Sequence, residues 1–137
     1  MTNIVINPYS KESQLVGIVP KAICDYYSIK CSSYEVYMAP GMVKHLKKRK
    51  HWDDFLKYYQ DIPRSIANPD YAGQNPKELN TVELYKVMKD RVLIAIKMNP
   101  ETGLFLGSFY ILDNGEKKIE GRLRTGRIYP FSYFLTK

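Results

Sequence analysis

The second half of the chain alternates apolar and polar residues in a way that predicts a set of adjacent β-strands. The segments concerned are residues 81–87, 91–98 and 104–112. The middle segment is the most apolar of the three, which predicts a central strand. Turn-forming residues at 99–103 and 113–115 follow the second and third segments, so we expect antiparallel hairpin pairing.

Between residues 40 and 68 the apolar positions recur instead at the spacing of helices. Pro40 can occupy the first turn of a first helix, and a break near His51 separates that helix from a second one. The two apolar stripes are Met42, Val43 and Leu46, followed by Trp52, Phe55, Leu56, Tyr59, Ile62 and Ile66. Pro63 should kink or restart the second helix, and the Asn68–Pro69 pair should end it.

Shorter elements are predicted on both sides of these regions. Residues 14–19 and 33–38 have the pattern of strands, and the ambiguous segment 22–27 between them is compatible with a helical turn. Residues 70–72 are expected to form a short edge strand, and residues 117–123 a short helix or turn. Helices followed by a run of strands imply an α+β fold, with the N-terminal helices packed on one face of an antiparallel β-sheet.

The composition is that of an ordinary globular domain with a strong positive charge. The chain has 137 residues and no repeat or linker, so we expect a single domain over residues 1–137. Its 21 Lys and Arg exceed its 14 Asp and Glu, giving a net charge of +7 that favours a polyanionic partner. Lysines kept only for solubility are the alternative, but the positive charge is clustered rather than spread.

Location and cofactor use are bounded by the signals that the sequence lacks. No apolar run reaches the roughly 18 to 20 residues of a membrane span, and no signal peptide is recognisable. We therefore expect a cytoplasmic protein with no membrane partner. Cys24 and Cys31 have neither redox nor zinc spacing and are expected to be reduced thiols, with a disulfide as the alternative. Motifs for nucleotide cofactors, zinc and serine hydrolysis are missing, so no cofactor and no metal are expected.

The densest group of candidate functional residues lies at 121–129, after the strongest strand pattern. Arg122, Arg124 and Arg127 carry guanidinium groups, whose planar fork of donors matches phosphate oxygens. Thr125 adds a hydroxyl that can bind a phosphate oxygen, and Gly126 permits a backbone turn that aims its neighbours. We expect these groups to follow a strand and a turn and to project over the sheet. The alternative is an ordinary charged surface loop.

Two histidines bracket a basic run in the first helical region. Imidazole can give or take a proton near neutral pH, so His45 and His51 are candidate acid and base groups. The alternatives are that His45 is a half-buried helix residue and that His51 hydrogen-bonds at a helix end. Lys97 ends an apolar strand and either reaches a phosphate or extends out of the core into solvent.

Other basic residues are candidates for contacts along an RNA backbone, with a solvated charged face as the alternative. They are Lys47, Lys48, Arg49, Lys50, Arg122 and Arg124. Phosphate-binding forks combined with two imidazoles, and without a cluster of metal ligands, are what metal-free cleavage of RNA requires.

Several segments of the chain, in their order and spacing, resemble the phage-associated members of the barnase–EndoU–colicin–RelE nuclease superfamily. The similar segments are residues 42–51, 68–72, 80–84, 92–97 and 122–127. The resemblance extends over roughly residues 35–130, which we expect to be the core of the domain. It implies a metal-independent ribonuclease fold of the kind often deployed as a toxin or effector module.

The resemblance leads to a specific functional expectation, an endoribonuclease in which the RNA 2′-hydroxyl attacks its own 3′-phosphate. His51 is the expected base, with His45 or Lys97 as the acid. The residues expected to stabilise the charge of the phosphorane are Arg124, Thr125 and Arg127. The alternative is a non-catalytic module on the same fold. It would bind RNA or an acidic protein such as an inhibitor, antitoxin or immunity protein.

Overall fold

The computed structural model describes residues 3–136, in which seven strands form one sheet in the order β1-β2-β6-β5-β4-β3-β7. The strands are β1 (Gln14–Ile18), β2 (Glu35–Met38), β3 (Tyr71–Gly73), β4 (Thr81–Val87), β5 (Arg91–Asn99), β6 (Gly103–Ile111) and β7 (Ile128–Pro130). The helices are α1 (Lys21–Tyr26), α2 (Gly41–Lys48), α3 (Trp52–Tyr58), α4 (Ile62–Ala67), α5 (Gly115–Arg124) and α6 (Phe131–Leu135). The α+β fold class predicted from the sequence is confirmed.

The three central strands follow the prediction closely. Strand β5 lies in the middle of the sheet and pairs antiparallel with β4 on one side and β6 on the other. Strand β2 differs from the predicted antiparallel arrangement, because it pairs parallel with the beginning of β6, at Leu104 and Phe105. The sheet is therefore mixed at this position.

The prediction of an edge strand at 70–72 is wrong in its placement. Strand β3 lies between β4 and β7 and pairs antiparallel with both. The partner β7 comes from a segment more than fifty residues further along the chain. No local pattern of apolar residues reports such a distant pairing.

Helices α2, α3 and α4 pack on one face of the sheet and build the main core. Leu46, Phe55 and Ile66, one from each helix, are fully buried there. The predicted break between α2 and α3 is confirmed, with Lys50 in the left-handed region at φ 62° and α3 beginning at Trp52. Pro63 restarts the chain as predicted, since α4 begins after a short 3₁₀ turn at Tyr59–Asp61.

Helix α5 packs on the opposite face of the sheet and is longer than the short helix or turn expected there. Its Ile119 and Leu123 contact a second, smaller apolar cluster that includes Tyr85 and Leu93. Arg122 and Arg124 therefore lie in the last turn of this helix, and Thr125 and Arg127 follow it, so the expectation that these groups follow a strand and a turn was wrong. Two apolar positions within a mostly charged segment gave little sign of a complete helix.

Two further findings bear on location and thiol chemistry. Within residues 3–136, no helix combines the length and apolarity needed to cross a bilayer. Cys24 and Cys31 are both free thiols. Burial raises the pKa of Cys24 to about 12, which keeps this thiol protonated and unreactive at neutral pH.

Candidate active site

A cavity of about 600 Å³ opens on the face of the sheet opposite the main core, beside helix α5. Its floor includes a row of residues directly opposite one another on three strands, Glu83 on β4, Ala95 on β5 and Ser108 on β6. The small side chains of Ala95 and Ser108 leave the depression open. Alternation along each strand places these residues on the open face, because their neighbours point into the core.

A β-bulge shapes the middle of the cavity. The register of β5 and β6 shifts between Ala95 and Ile96, so that Gly107 is the extra residue on β6. A Cβ atom on Gly107 would lie 2.8 Å from Cγ of Lys97. Glycine is therefore what allows the Lys97 side chain to lie across β6 and line the cavity. Bulges of this kind are common beside active sites because they re-aim a side chain.

The break between α2 and α3 brings both histidines to the rim of the cavity. The His51 ring stacks on Tyr110, with ring centroids 5.0 Å apart and planes inclined by 24°. Nδ1 of His51 lies 3.9 Å from Oδ2 of Asp54, and the backbone N–H of Ile111 donates to that same oxygen at 3.2 Å. Stacking on Tyr110 thus orients the His51 ring, and the Asp54 carboxylate lies nearby but beyond hydrogen-bond distance, whereas His45 is exposed.

Glu83 organises the polar network at the opposite side of the cavity. Nε and Nη2 of Arg127 donate to the two oxygens of the Glu83 carboxylate at 3.1 and 2.8 Å. The Tyr85 hydroxyl donates to Glu83 Oε1 at 3.0 Å, and Arg122 Nη1 donates to the Tyr85 oxygen at 2.7 Å. Because the Glu83 side chain is only 6% exposed, this paired guanidinium offsets the cost of burying its charge.

The network also sets the protonation of its members. Burial of the Arg127 guanidinium acts to lower its pKa, but the hydrogen bonds and charge of Glu83 outweigh this and the pKa is raised. Burial, and then the charge of Glu83, raise the pKa of the Tyr110 phenol. Both groups therefore keep their protons at neutral pH and can donate hydrogen bonds.

The cavity also offers donors that suit an oxyanion. Ser108, Tyr110 and Lys97 all line it, and their side chains carry two hydroxyls and an ammonium. Nζ of Lys97 lies 3.9 Å from the nearer oxygen of Glu78, which is longer than a hydrogen bond. Among residues 3–136, no group of three or more His, Cys, Asp or Glu side chains is placed to hold a metal ion.

The residues singled out in the sequence divide into two groups. His45, Arg49, His51 and Lys97 line the cavity directly, and Arg127 reaches it through Glu83. Thr125, by contrast, follows the last turn of α5, where its hydroxyl donates to the Arg122 carbonyl at 3.3 Å and lines a separate groove.

The remaining basic residues lie at the surface. Arg124 is exposed at the end of α5, and Lys48 and Lys50 are exposed at and just after the end of α2. Lys47 is exposed too, and its ammonium lies 5.1 Å from the centre of the Trp52 ring.

The sequence pattern did not single out Glu83, Ser108 or Tyr110. Each lies in a strand whose alternation was explained by a half-exposed sheet face. The one sign of Glu83 in the sequence was a lone carboxylate between the apolar residues Val82 and Leu84. A charged side chain on a strand face that becomes buried needs a partner of opposite charge. That Arg127 is this partner follows only from the three-dimensional fold, because the two residues are far apart in sequence.

Residues 14–120 match the family model described as phage-Barnase-EndoU-ColicinE5/D-RelE like nuclease3. The chain belongs to this nuclease family. The matched region contains His45, His51, Glu83 and Lys97, and it ends before Arg122. The resemblance noted in the sequence is thereby confirmed at the level of the family. No curated protein and no solved structure matches the chain.

Proposed function

We propose that this member of the nuclease family is a metal-independent endoribonuclease that works from the cavity on the open face of the sheet. The observation that carries the proposal is the grouping of two imidazoles, an ammonium and an arginine-paired carboxylate around this one cavity. These are groups that can move protons and bind an anionic phosphate at neutral pH.

The reaction begins with the 2′-hydroxyl of RNA attacking the adjacent 3′-phosphate. His51 takes the proton of this hydroxyl as the new P–O bond forms. The bond from phosphorus to the 5′-oxygen then breaks, and His45 gives that oxygen a proton. The products are a 2′,3′-cyclic phosphate and a free 5′-hydroxyl, so all atoms and protons are accounted for.

Positioning favours His51 as the base. Its ring is 27% exposed and is stacked on Tyr110, which fixes the plane in which the ring can accept a proton. His45 lies one helix earlier and is exposed to solvent, where it can recover a proton after each turnover. Lys97 is the second candidate for the acid. If His45 is the acid, a His45 variant can no longer protonate the leaving 5′-oxygen, and if Lys97 is the acid, a Lys97 variant cannot.

The phosphorane carries extra negative charge that the cavity can stabilise. Lys97, Ser108 and Tyr110 supply donors from the floor. Arginine has five N–H donors, and Glu83 takes two from Arg127, which leaves others for a phosphate oxygen. Glu83 is then a positioning residue that holds Arg127 in place. The exposed Arg124 is assigned to the RNA strand beyond the scissile phosphate.

The proposal is tested by cleavage of a single-stranded RNA oligonucleotide in excess EDTA. The wild-type protein should cleave it, and Lys97→Gln should lower the rate at least tenfold because an oxyanion donor is removed. Lys89→Gln is the matched control, since it removes one positive charge at an exposed turn and should leave the rate unchanged.

Two results would contradict this function. One is activity that disappears in EDTA and returns with Mg²⁺, which would show that a metal is required. The other is RNA that is bound but stays intact under all conditions. That second result would favour a non-catalytic module that binds RNA or an acidic protein partner.

A further inference from the structure

A second groove, of about 590 Å³, lies next to the candidate active site and has an aromatic lining. Its walls include Tyr26, Tyr27, Tyr129, Pro76, Leu79 and Arg127. Leu79 is 71% exposed and Tyr26 is 38% exposed, so apolar surface and a ring are presented to solvent at one place. An exposed ring beside half-buried rings and apolar surface is typical of surfaces that bind flat or apolar ligands.

The aromatic side chains hold one another in fixed positions. The ring of Tyr26 meets that of Tyr27 edge to face at 4.9 Å, and that of Tyr129 at 6.1 Å. The hydroxyls of Tyr26 and Tyr133 are hydrogen-bonded at 3.0 Å. The rings are therefore ordered by the fold before any ligand arrives, which lowers the entropy cost of binding.

Arg127 joins this groove to the active-site cavity. It lines the groove, while its guanidinium is bonded to Glu83, which lines the cavity. The left-handed backbone of Gly126, at φ 77°, turns the chain between α5 and β7 and so directs Arg127 toward Glu83. A phosphodiester chain that crosses Arg127 would have its reacting phosphate on one side and a neighbouring nucleotide on the other.

We propose that the tyrosine groove holds the base of the nucleotide next to the scissile phosphate. The inference rests on the proposed ribonuclease function and adds a substrate class, single-stranded RNA. A base can enter the groove only when it is unstacked from its neighbours, which is easy in single strands and loops and costly in a duplex. Stacking on tyrosine is tolerant of sequence, because every base offers a flat aromatic face.

The test uses binding rather than cleavage, so that it does not depend on catalysis. The probe is a fluorescent RNA oligonucleotide with a 2′-deoxy nucleotide at the scissile position, which removes the attacking hydroxyl. A second probe also lacks the base of the nucleotide flanking the scissile phosphate. For the wild-type protein, loss of that base should weaken binding about tenfold.

Two variants at the same position separate the ring from the hydroxyl. Tyr26→Leu should weaken binding of the intact probe about tenfold and remove its sensitivity to the missing base. Tyr26→Phe keeps the ring and should bind nearly as well as the wild type. Tyr37→Leu is the matched control, because Tyr37 has a similar exposure of 40% but lines a different cavity.

A melting curve accompanies each variant, since Tyr26 also packs against other rings. Leu79→Ala removes an exposed side chain of the groove without touching that packing, and should weaken binding about threefold. Unchanged affinity in both Tyr26→Leu and Leu79→Ala, with the effect of the missing base retained, would overturn the proposal. Binding that depends on the groove in a protein that cleaves no RNA would reject the ribonuclease function alone and leave the base-binding site standing.

Discussion

Two neighbouring rows of residues in the same three strands have opposite characters. One row, Leu84, Ile94 and Phe109, is at most 1% exposed and lies in the main core under the N-terminal helices. The next row is displaced by one residue on each strand and consists of Glu83, Ala95 and Ser108 on the floor of the cavity. A step of one residue along each strand therefore separates the face of the sheet that packs in the core from the face to which we assign the chemistry.

The same three strands therefore supply the core on one face and the cavity on the other. Large apolar side chains fill the space under the helices, whereas the small side chains of Ala95 and Ser108 leave space above the sheet. Burying the Glu83 carboxylate on that second face costs free energy, and three hydrogen bonds from Arg127 and Tyr85 offset this cost. Changes in one row should therefore act mainly on stability, and changes around the other mainly on activity.

Among changes around the cavity, His51→Ala is expected to have the largest effect on the cleavage rate. Loss of a proton-transfer group should lower the cleavage rate by on the order of a hundredfold or more. The melting temperature should change little, because His51 is outside both apolar clusters and partly exposed. Cleavage at the wild-type rate by a folded His51→Ala protein would remove this residue from the mechanism.

The matching change on the core face is Ile94→Ala. Emptying this fully buried position should cost about 3 kcal/mol of the free energy of unfolding, and lower the melting temperature by roughly 10 °C. Ile94→Val is the graded control and should cost about 1 kcal/mol. Well below its melting temperature, Ile94→Ala should retain cleavage per folded molecule, and a large loss of activity there would show that the two rows are not separable.

Arg127→Lys tests the link between the two sides of the cavity. Lysine keeps the charge but cannot make the paired contact with both Glu83 oxygens, so most of the activity should be lost, about tenfold or more, while the fold remains intact. Arg64→Lys makes the same change at an exposed arginine of α4, outside the cavity and the groove, and serves as the control with an unchanged rate. Equal rates for Arg127→Lys and the wild type would exclude a bidentate role.

The smallest effect is expected for the exposed lysines of α2. Replacing Lys47 and Lys48 by glutamine should weaken RNA binding and reduce its salt dependence by about one unit of slope for each phosphate that is no longer neutralised. Binding is measured as a function of salt concentration. A slope that stays at the wild-type value would assign these lysines to a solvated face that does not touch RNA.

The fold was predictable where the chain repeats a local pattern over several residues. Strands β4 to β6 and helices α2 and α3 extend over enough positions for alternation or helical spacing to be recognised. A short strand was expected at 70–72, but its place between β4 and β7 was not, because β3 and β7 have three residues each and pair across a long separation in sequence. The complete helix α5 was missed because its apolar face rests on only Ile119 and Leu123.

The candidate site was predictable in its chemistry but not in its geometry. His45, His51 and Lys97 were chosen for the protons and charges they carry, and the structure places all three around one cavity. Glu83 was missed because its importance comes from a pairing with Arg127, forty-four residues away in sequence. Thr125 was placed with the arginines by proximity in sequence, whereas the end of α5 directs its hydroxyl to a helix carbonyl.

The most direct test of the central claim is the chemistry of the cleaved bond in EDTA. An RNA oligonucleotide is cut by the wild-type protein, the cleavage position is mapped, and the product ends are identified by mass spectrometry. We expect a 2′,3′-cyclic phosphate and a 5′-hydroxyl, and no cleavage at that position once its nucleotide is replaced by the 2′-deoxy form. Cleavage that persists at the 2′-deoxy position would contradict attack by the 2′-hydroxyl, and with it the role given to the cavity.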